Sequence, residues 1–234
     1  MIRSMMPTDL VHNISEVMRR IRAAEAAAGR PKNSVSLLAV SKTKPAELLR
    51  IAYQNGQAAF GENYAQEMSE KVQLLADLPI EWHFIGPIQS NKTAVIAACC
   101  DWVHSVDRLK IARRLSEQRP PEKPPLNILI QVNISGESSK SGVSPDALPD
   151  LVHQLCGLPR LSLRGLMAIP AAAGLTEDPR APFKALRELK DSLGFTAPDF
   201  DTLSMGMSAD LEEAVAEGAS LVRIGTDIFG ARYN

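Results

Sequence analysis

Val35-Ser36-Leu37-Leu38-Ala39-Val40-Ser41-Lys42-Thr43-Lys44-Pro45 decides how the chain is read. The apolar run through Val40 reads as a parallel strand, and Lys42 stands where that strand hands over to its loop. A lysine there points into a binding mouth. Near low-dielectric walls its amine loses solvation, which lowers its pKa and frees the lone pair needed for a Schiff base with an aldehyde. Taken alone, Lys42 reads as a solvated loop lysine, as most lysines are. The far end of the chain changes that reading.

There, Ser204-Met205-Gly206-Met207-Ser208 and Val222-Arg223-Ile224-Gly225-Thr226 each follow a short apolar stretch and combine a small residue with a hydroxyl. Such loops suit phosphate: glycine lets backbone N–H groups approach an anion, the hydroxyl adds a donor, and a following helix N-terminus adds a favourable dipole. Gly206-Met207-Ser208 alone is equally a turn before a helix capped by Ser208. Two such loops with a strand-end lysine are a more specific combination.

Outward from the first strand, short β-rich runs alternate with amphipathic stretches. Strands are expected at 35–40, 57–61, 81–86, 101–106, 127–134, 161–169, 200–206 and 221–225. Helices are expected at 45–55, 63–75, 91–99, 108–117, 145–156, 181–192 and 209–217, with Pro45 in the first turn of its helix and Gly56 closing it. A leading helix over 7–28 carries Leu10, Ile14, Val17, Met18, Ile21 and Ala24 at helical spacing. This order predicts an α/β fold, a single (β/α)8 TIM barrel with an extra N-terminal helix, as one domain over 1–234. An open doubly wound sheet is the structural alternative. The Pro-rich stretch 119–125 reads as a stiff surface connection back to a strand.

Composition narrows the function. The 234 residues carry 26 basic and 27 acidic side chains, a net charge of -1, and 5% aromatics, which gives neither a basic surface nor stacking platforms for nucleic acid. Cys99, Cys100 and Cys156 lack zinc or disulfide spacing and read as core or semi-buried thiols. The four histidines show no metal-binding spacing, so no metal is expected. No apolar run suits a signal peptide or a membrane span, so a cytoplasmic protein is expected.

In a parallel barrel the chemistry gathers just past the C-terminal ends of the strands. Ser41, Lys42 and Lys44 follow the first strand; Glu62 and Asn63 the second; Gln89, Asn91 and Lys92 the third, with His83 inside it. The segment 135–144, rich in Ser and Gly and bearing Lys140, follows the fifth. Each has a structural alternative: Asn63 as a helix cap, His83 as a hydrogen-bonded core histidine, Lys140 as a mobile surface charge. Lys42, Ser208 and Arg223 converge on one pocket with complementary roles.

The motifs LLAVSKTKP (37–45), FGENY (60–64), WHFIGPIQSNK (82–92), SKSG (139–142), RGLMAIP (164–170), MGMS (205–208) and VRIGTDIFG (222–230) run nearly end to end. In these the chain resembles the pyridoxal phosphate homeostasis proteins, single-domain relatives of the amino-terminal barrel of alanine racemase. The resemblance implies a fold-type III barrel that holds pyridoxal 5'-phosphate (PLP) in a Schiff base on Lys42. It places Ser208, Gly225 and Thr226 at the phosphate and Arg223 at the pyridine nitrogen, with Asn63 and Met205 also in the binding set and His83 and Lys140 as secondary contacts. An always-charged, donor-only guanidinium disfavours a protonated ring and weakens it as an electron sink.

A racemase of this kind also needs a second acid/base, supplied in the two-domain enzymes by a tyrosine from another domain. Of Tyr53, Tyr64 and Tyr233 none has an obvious claim to that role. The implied function is therefore to store, buffer and deliver the cofactor without turnover, with PLP-dependent apo-enzymes as acceptors and no catalytic residues of its own. No long heptad pattern or apolar stripe beyond the core pattern suggests an obligate dimer, so a monomer is expected. The segment 135–144 with Lys140 is a candidate gate for departing cofactor. Two other readings stay open: a PLP-dependent amino-acid racemase, and a sugar-phosphate barrel enzyme using Lys42 on another carbonyl.

Overall fold

The computed structural model describes residues 7–137, 140–170, 178–194 and 199–230. A leading helix, α1 (Pro7–Ala27), precedes β1 (Ser36–Val40), α2 (Ala46–Gln54), β2 (Ala59–Glu62), α3 (Ala65–Leu74), β3 (Glu81–Phe84), α4 (Thr93–Cys99), β4 (Trp102–Val106) and α5 (Leu109–Gln118). The second half comprises β5 (Leu126–Gln131), α6 (Leu148–Cys156), β6 (Leu161–Met167), α7 (Ala181–Ser192), β7 (Thr202–Ser204), α8 (Leu211–Ala216), β8 (Leu221–Ile224) and a short α9 (Thr226–Phe229). The eight strands pair in sequence order and close, β8 lying parallel to β1 with Leu38 opposite Arg223. The (β/α)8 barrel expected from the alternation is the fold observed.

Strand alternation divides the core. Leu37, Ala39, Phe60, Phe84, Val103 and Met205 are buried between the strands and the surrounding helices. Their neighbours Leu38, His83, His104, Ser204 and Arg223 are buried on the opposite, inward face. The interior is thus half polar, unlike the branched aliphatic layers that usually fill such barrels.

Most strands end earlier than expected because their last residues leave the ladder to build loops: β5 stops at Gln131, β6 at Met167 and β7 at Ser204. Pro45 lies just outside α2 in extended conformation, and Gly56 closes that helix with φ +92. The Pro-rich connection is pinned by buried Arg119, whose guanidinium donates to the carbonyls of Pro124, Ala97 and Cys100. Cys100 is buried, Cys99 half-buried, and Cys156 exposed, contrary to the expectation for Cys156. Among the described residues no helix is long and apolar enough to cross a membrane, and no group of three or more His, Cys, Asp or Glu is placed to hold a metal.

Candidate functional site

A cavity of about 290 Å³ opens at the C-terminal ends of the strands. Lys42, Lys44, Asn63, Ser208, Arg223, Gly225 and Thr226 line it, with Val40, Ile85, Ile169 and Met207 forming apolar walls. The structure therefore gathers residues from both ends of the chain into one pocket, because β8 closes the barrel against β1.

The turn bearing Lys42 is held on both sides by a buried ionic cluster. Ser41 Oγ donates to Glu62 Oε1 at 2.6 Å, and Lys71 Nζ donates to the Ser41 carbonyl at 2.8 Å. Lys71 also reaches Glu62 at 2.6 Å and Glu67 at 2.7 Å, and Glu67 accepts the N–H of Thr43 at 2.6 Å. Thr43 sits at φ +64, a strained setting for a β-branched residue that these bonds on its flanks sustain. Burial pushes the Glu62 carboxyl up, and the Lys71 ammonium and the Ser41 hydroxyl oppose it. Lys44 Nζ donates to the Phe229 carbonyl at 3.0 Å, and burial lowers its pKa.

Arg223 rises from β8, the strand beside β1. Its Nη1 donates to the carbonyl and hydroxyl of Ser204 at 2.5 and 2.8 Å, and its Nη2 to the Ala168 carbonyl at 2.8 Å. Burial draws this guanidinium down to about 10, with Asp210 opposing, so it stays charged at neutral pH.

The two hydroxyl-bearing loops are shaped from behind. Gly206, at φ +93, backs onto α8, and a Cβ there would lie 2.5 Å from that of Ala214. Met207 N–H donates to Asp210 at 2.6 Å, fixing the turn that presents Ser208. Arg20 of α1 then joins the loops, donating to the Ser208 carbonyl at 3.0 Å, to both oxygens of Glu212 at 2.9 Å, and to Asp227 of α9 at 2.7 Å. The extra helix is therefore a brace for the pocket. On the β2 side, a Cβ on Gly86 would lie 2.1 Å from the Asn63 carbonyl, so only glycine lets that loop pack against Asn63. The Asn63 Oδ1 is buried with no hydrogen-bond partner among the described residues.

Of the expected residues, Lys42, Asn63, Ser208, Arg223, Gly225 and Thr226 come together here. His83 does not. It is buried lower in the barrel, bonded to Glu81 and His104, and faces the cavity at the opposite end. Met205 is fully buried in the layer beneath the helices, because its neighbour Ser204 takes the inward position. Lys140 is paired with Glu137 at 2.9 Å in a loop whose carbonyls at 137, 140 and 141 are tied to Asn133 and Gln131, and it is not among the lining residues. Sequence reasoning missed Arg20, the Glu67–Lys71 pair and His104. The i,i+4 spacing of Glu67 and Lys71 was a usable signal, whereas Arg20 pairs with residues about 190 to 210 positions away and carried none.

Residues 11–233 match the family described as alanine racemase, N-terminal domain. The pyridoxal phosphate homeostasis protein of Pseudomonas aeruginosa is 58% identical over 223 residues, which are 95% of this chain and 96% of that protein. A crystal structure of an unknown protein from Bifidobacterium adolescentis superposes with a TM-score of 0.87 at 34% identity, covering 95% of each chain. PipY of Synechococcus elongatus, solved with PLP bound, superposes with a TM-score of 0.77 at 37% identity, covering 90% of this chain and 100% of that one.

Proposed function

The chain belongs to the pyridoxal phosphate homeostasis family, on the barrel of the alanine racemase N-terminal domain, and from that premise we propose that it stores PLP on Lys42 and delivers it to apo-enzymes. One observation carries the reading: an amine, a fixed guanidinium and two hydroxyl-bearing loops line a single cavity. The cavity fits the cofactor in charge, since Lys42, Lys44 and Arg223 line it and no carboxylate does among the described residues. It fits in polarity too, because the buried Asn63 carboxamide oxygen has no partner among the described residues.

In this reading Ser208, Gly225 and Thr226 hold the phosphate, Arg223 faces the ring nitrogen, and the Lys42 amine forms a reversible Schiff base with the aldehyde. When bound, the cofactor supplies that electrophilic carbon; the protein supplies capture and release. Arg223 keeps a donor and a positive charge where a ring-nitrogen proton would otherwise sit, which favours storage over carbanion chemistry. Tyr53 packs against the hydrophobic core and Tyr64 stands 57% exposed; neither lines the cavity, and Tyr233 lies outside the described residues. That favours a carrier over a racemase, which needs a second acid/base at the substrate. The reading includes a one-domain monomer working in the cytoplasm.

The test is the absorbance of the purified protein before and after borohydride, with peptide mapping and an assay for inversion of a chiral amino acid. The expected result is a yellow protein whose band disappears on reduction, a pyridoxyl mass on Lys42, and no amino-acid turnover. A protein that stays colourless and unlabelled after incubation with the cofactor overturns the reading. Steady racemisation would overturn its non-catalytic part.

A further inference from the structure

A row of polar side chains crosses the barrel interior and ends on the arginine of the pocket. Arg223 Nη1 lies 2.8 Å from Ser204 Oγ, Ser204 Oγ 2.9 Å from His104 Nδ1, His104 Nε2 2.8 Å from His83 Nδ1, and His83 Nε2 2.7 Å from Glu81 Oε1. Ser204, His83, His104 and Arg223 are buried; Glu81 is half exposed in the cavity at the barrel's other end. We propose that this row is one hydrogen-bond chain with a fixed direction, donating from Arg223 to Glu81, and that Glu81, His83 and His104 are positioning residues for Arg223.

The direction follows from what each group can do. A guanidinium only donates, so Ser204 Oγ accepts from Arg223 and turns its own hydrogen to His104 Nδ1. A neutral His104 that accepts at Nδ1 carries its hydrogen on Nε2 and donates to His83 Nδ1. His83 then carries its hydrogen on Nε2 and donates to the Glu81 carboxylate, which only accepts. Each interior group uses one donor and one acceptor, and every link is satisfied.

A charged imidazole breaks this pattern. If His83 were protonated on both nitrogens, His104 would have to donate from Nδ1, and Ser204 Oγ would receive two donors while its own hydrogen lost its acceptor. The barrel interior would also hold a second positive charge beside Arg223, in a setting where each buried charge is costly. The environment agrees: burial, then the neighbouring His83 and Arg223, hold the His104 imidazole well below its ordinary range, and the bond from His83 holds the Glu81 carboxyl below its own.

The consequence falls on the pocket. Because the Ser204 hydrogen is committed to His104, a Ser204 lone pair is committed to Arg223, and aligned bonds of this kind strengthen one another. Two carbonyls, Ser204 O and Ala168 O, hold the guanidinium independently of the chain. Cutting the chain at Ser204 therefore leaves Arg223 anchored and the fold in place.

The first test uses the cofactor-free protein and needs no activity: nitrogen-15 NMR of the imidazoles near neutral pH. Both His83 and His104 are expected as neutral tautomers protonated on Nε2. Either ring protonated on Nδ1, alone or with Nε2, overturns the chain. The second test rests on the proposed function: PLP is added, and His104 Nδ1 is expected to shift in the wild type and not in Ser204→Ala. An equal shift in Ser204→Ala overturns the coupling. Dissociation constants then separate positioning from packing, with His104→Leu expected to bind roughly tenfold more weakly and His104→Gln, which can both accept and donate, to recover most of that loss. Equal weakening by both variants overturns the positioning role. If the wild type binds no PLP, the functional reading fails while the tautomers still decide the chain.

Discussion

The two ends of the barrel treat charge in opposite ways. At the base, a cavity of about 570 Å³ holds Arg30, Arg164, Glu81 and Asp201, and the structure matches these charges internally. Arg164 donates to Asn127, to the Asp199 carbonyl and to Asp201; Arg30 donates to the carbonyls of Val215 and Ala219; Glu81 accepts from His83. At the mouth, three cations line a smaller cavity whose lining includes no carboxylate among the described residues, with Asp210 acting on Arg223 from behind its loop, and the buried Asn63 carboxamide oxygen has no hydrogen-bond partner among them. The larger cavity pairs its arginines with carboxylates and carbonyls, whereas the smaller one presents cations and a carboxamide oxygen to its interior. Charge balance, more than volume, distinguishes a ligand site from a solvent-filled end of the fold.

The largest effect is expected at the mouth's reactive group. Lys42→Ala removes the amine but leaves Lys44 and Arg223, so borohydride should trap no adduct while weaker, salt-sensitive uptake of the cofactor persists. Mass spectrometry of the reduced protein and equilibrium dialysis at two salt concentrations check both halves. An adduct of unchanged yield in the variant would move the chemistry to another lysine, and Lys44 would be the first to map.

Next come the ion pairs beneath each end. Lys71 is 6% exposed and Glu62 fully buried, so Lys71→Met strands a carboxyl in the interior and should cost about 3–5 kcal/mol in urea unfolding. At the base, Asp201 is 58% exposed, and Asp201→Asn should cost only about 0–1 kcal/mol. Equal costs would mean that the two ends are built alike after all.

Much of this contrast was legible in the sequence, in particular places. The apolar run ending at Val40 located a strand end; Lys42, Asn63, Ser208 and Gly225-Thr226 each follow a strand on that rim, and Arg223 lies one residue before the end of the last one. Strand ends alone did not settle depth or parity. His83 lies two residues before the mouth-lining Ile85, on the same face but one layer deeper, where it borders the base cavity. Met205 follows Ser204 by one residue, which turns it from the interior to the helix layer. The interior chain was not legible at all, since the His104–Ser204 bond joins residues 100 positions apart and depends on barrel closure.

The subtlest effect to read is a difference in acid sensitivity along that interior chain. His104 has a folded pKa well below its ordinary value, so below about pH 6.5 the unfolded chain takes up a proton that the folded protein resists. The stability this group contributes is full above that pH and falls as pH drops below it, until the folded imidazole itself takes up the proton. Glu81, depressed mainly by its bond from His83, contributes above the ordinary glutamate range of about 4.3 and loses that contribution only at lower pH. The two groups thus mark separate windows. His104→Gln should flatten the decline in urea midpoint between about pH 6.5 and 5, whereas Glu81→Gln should leave that span alone and act only below it. If Glu81→Gln changed the upper window as well, protonation at the base would be reaching His104 through His83, and the two ends of the barrel would be coupled in their titration as well as joined by hydrogen bonds.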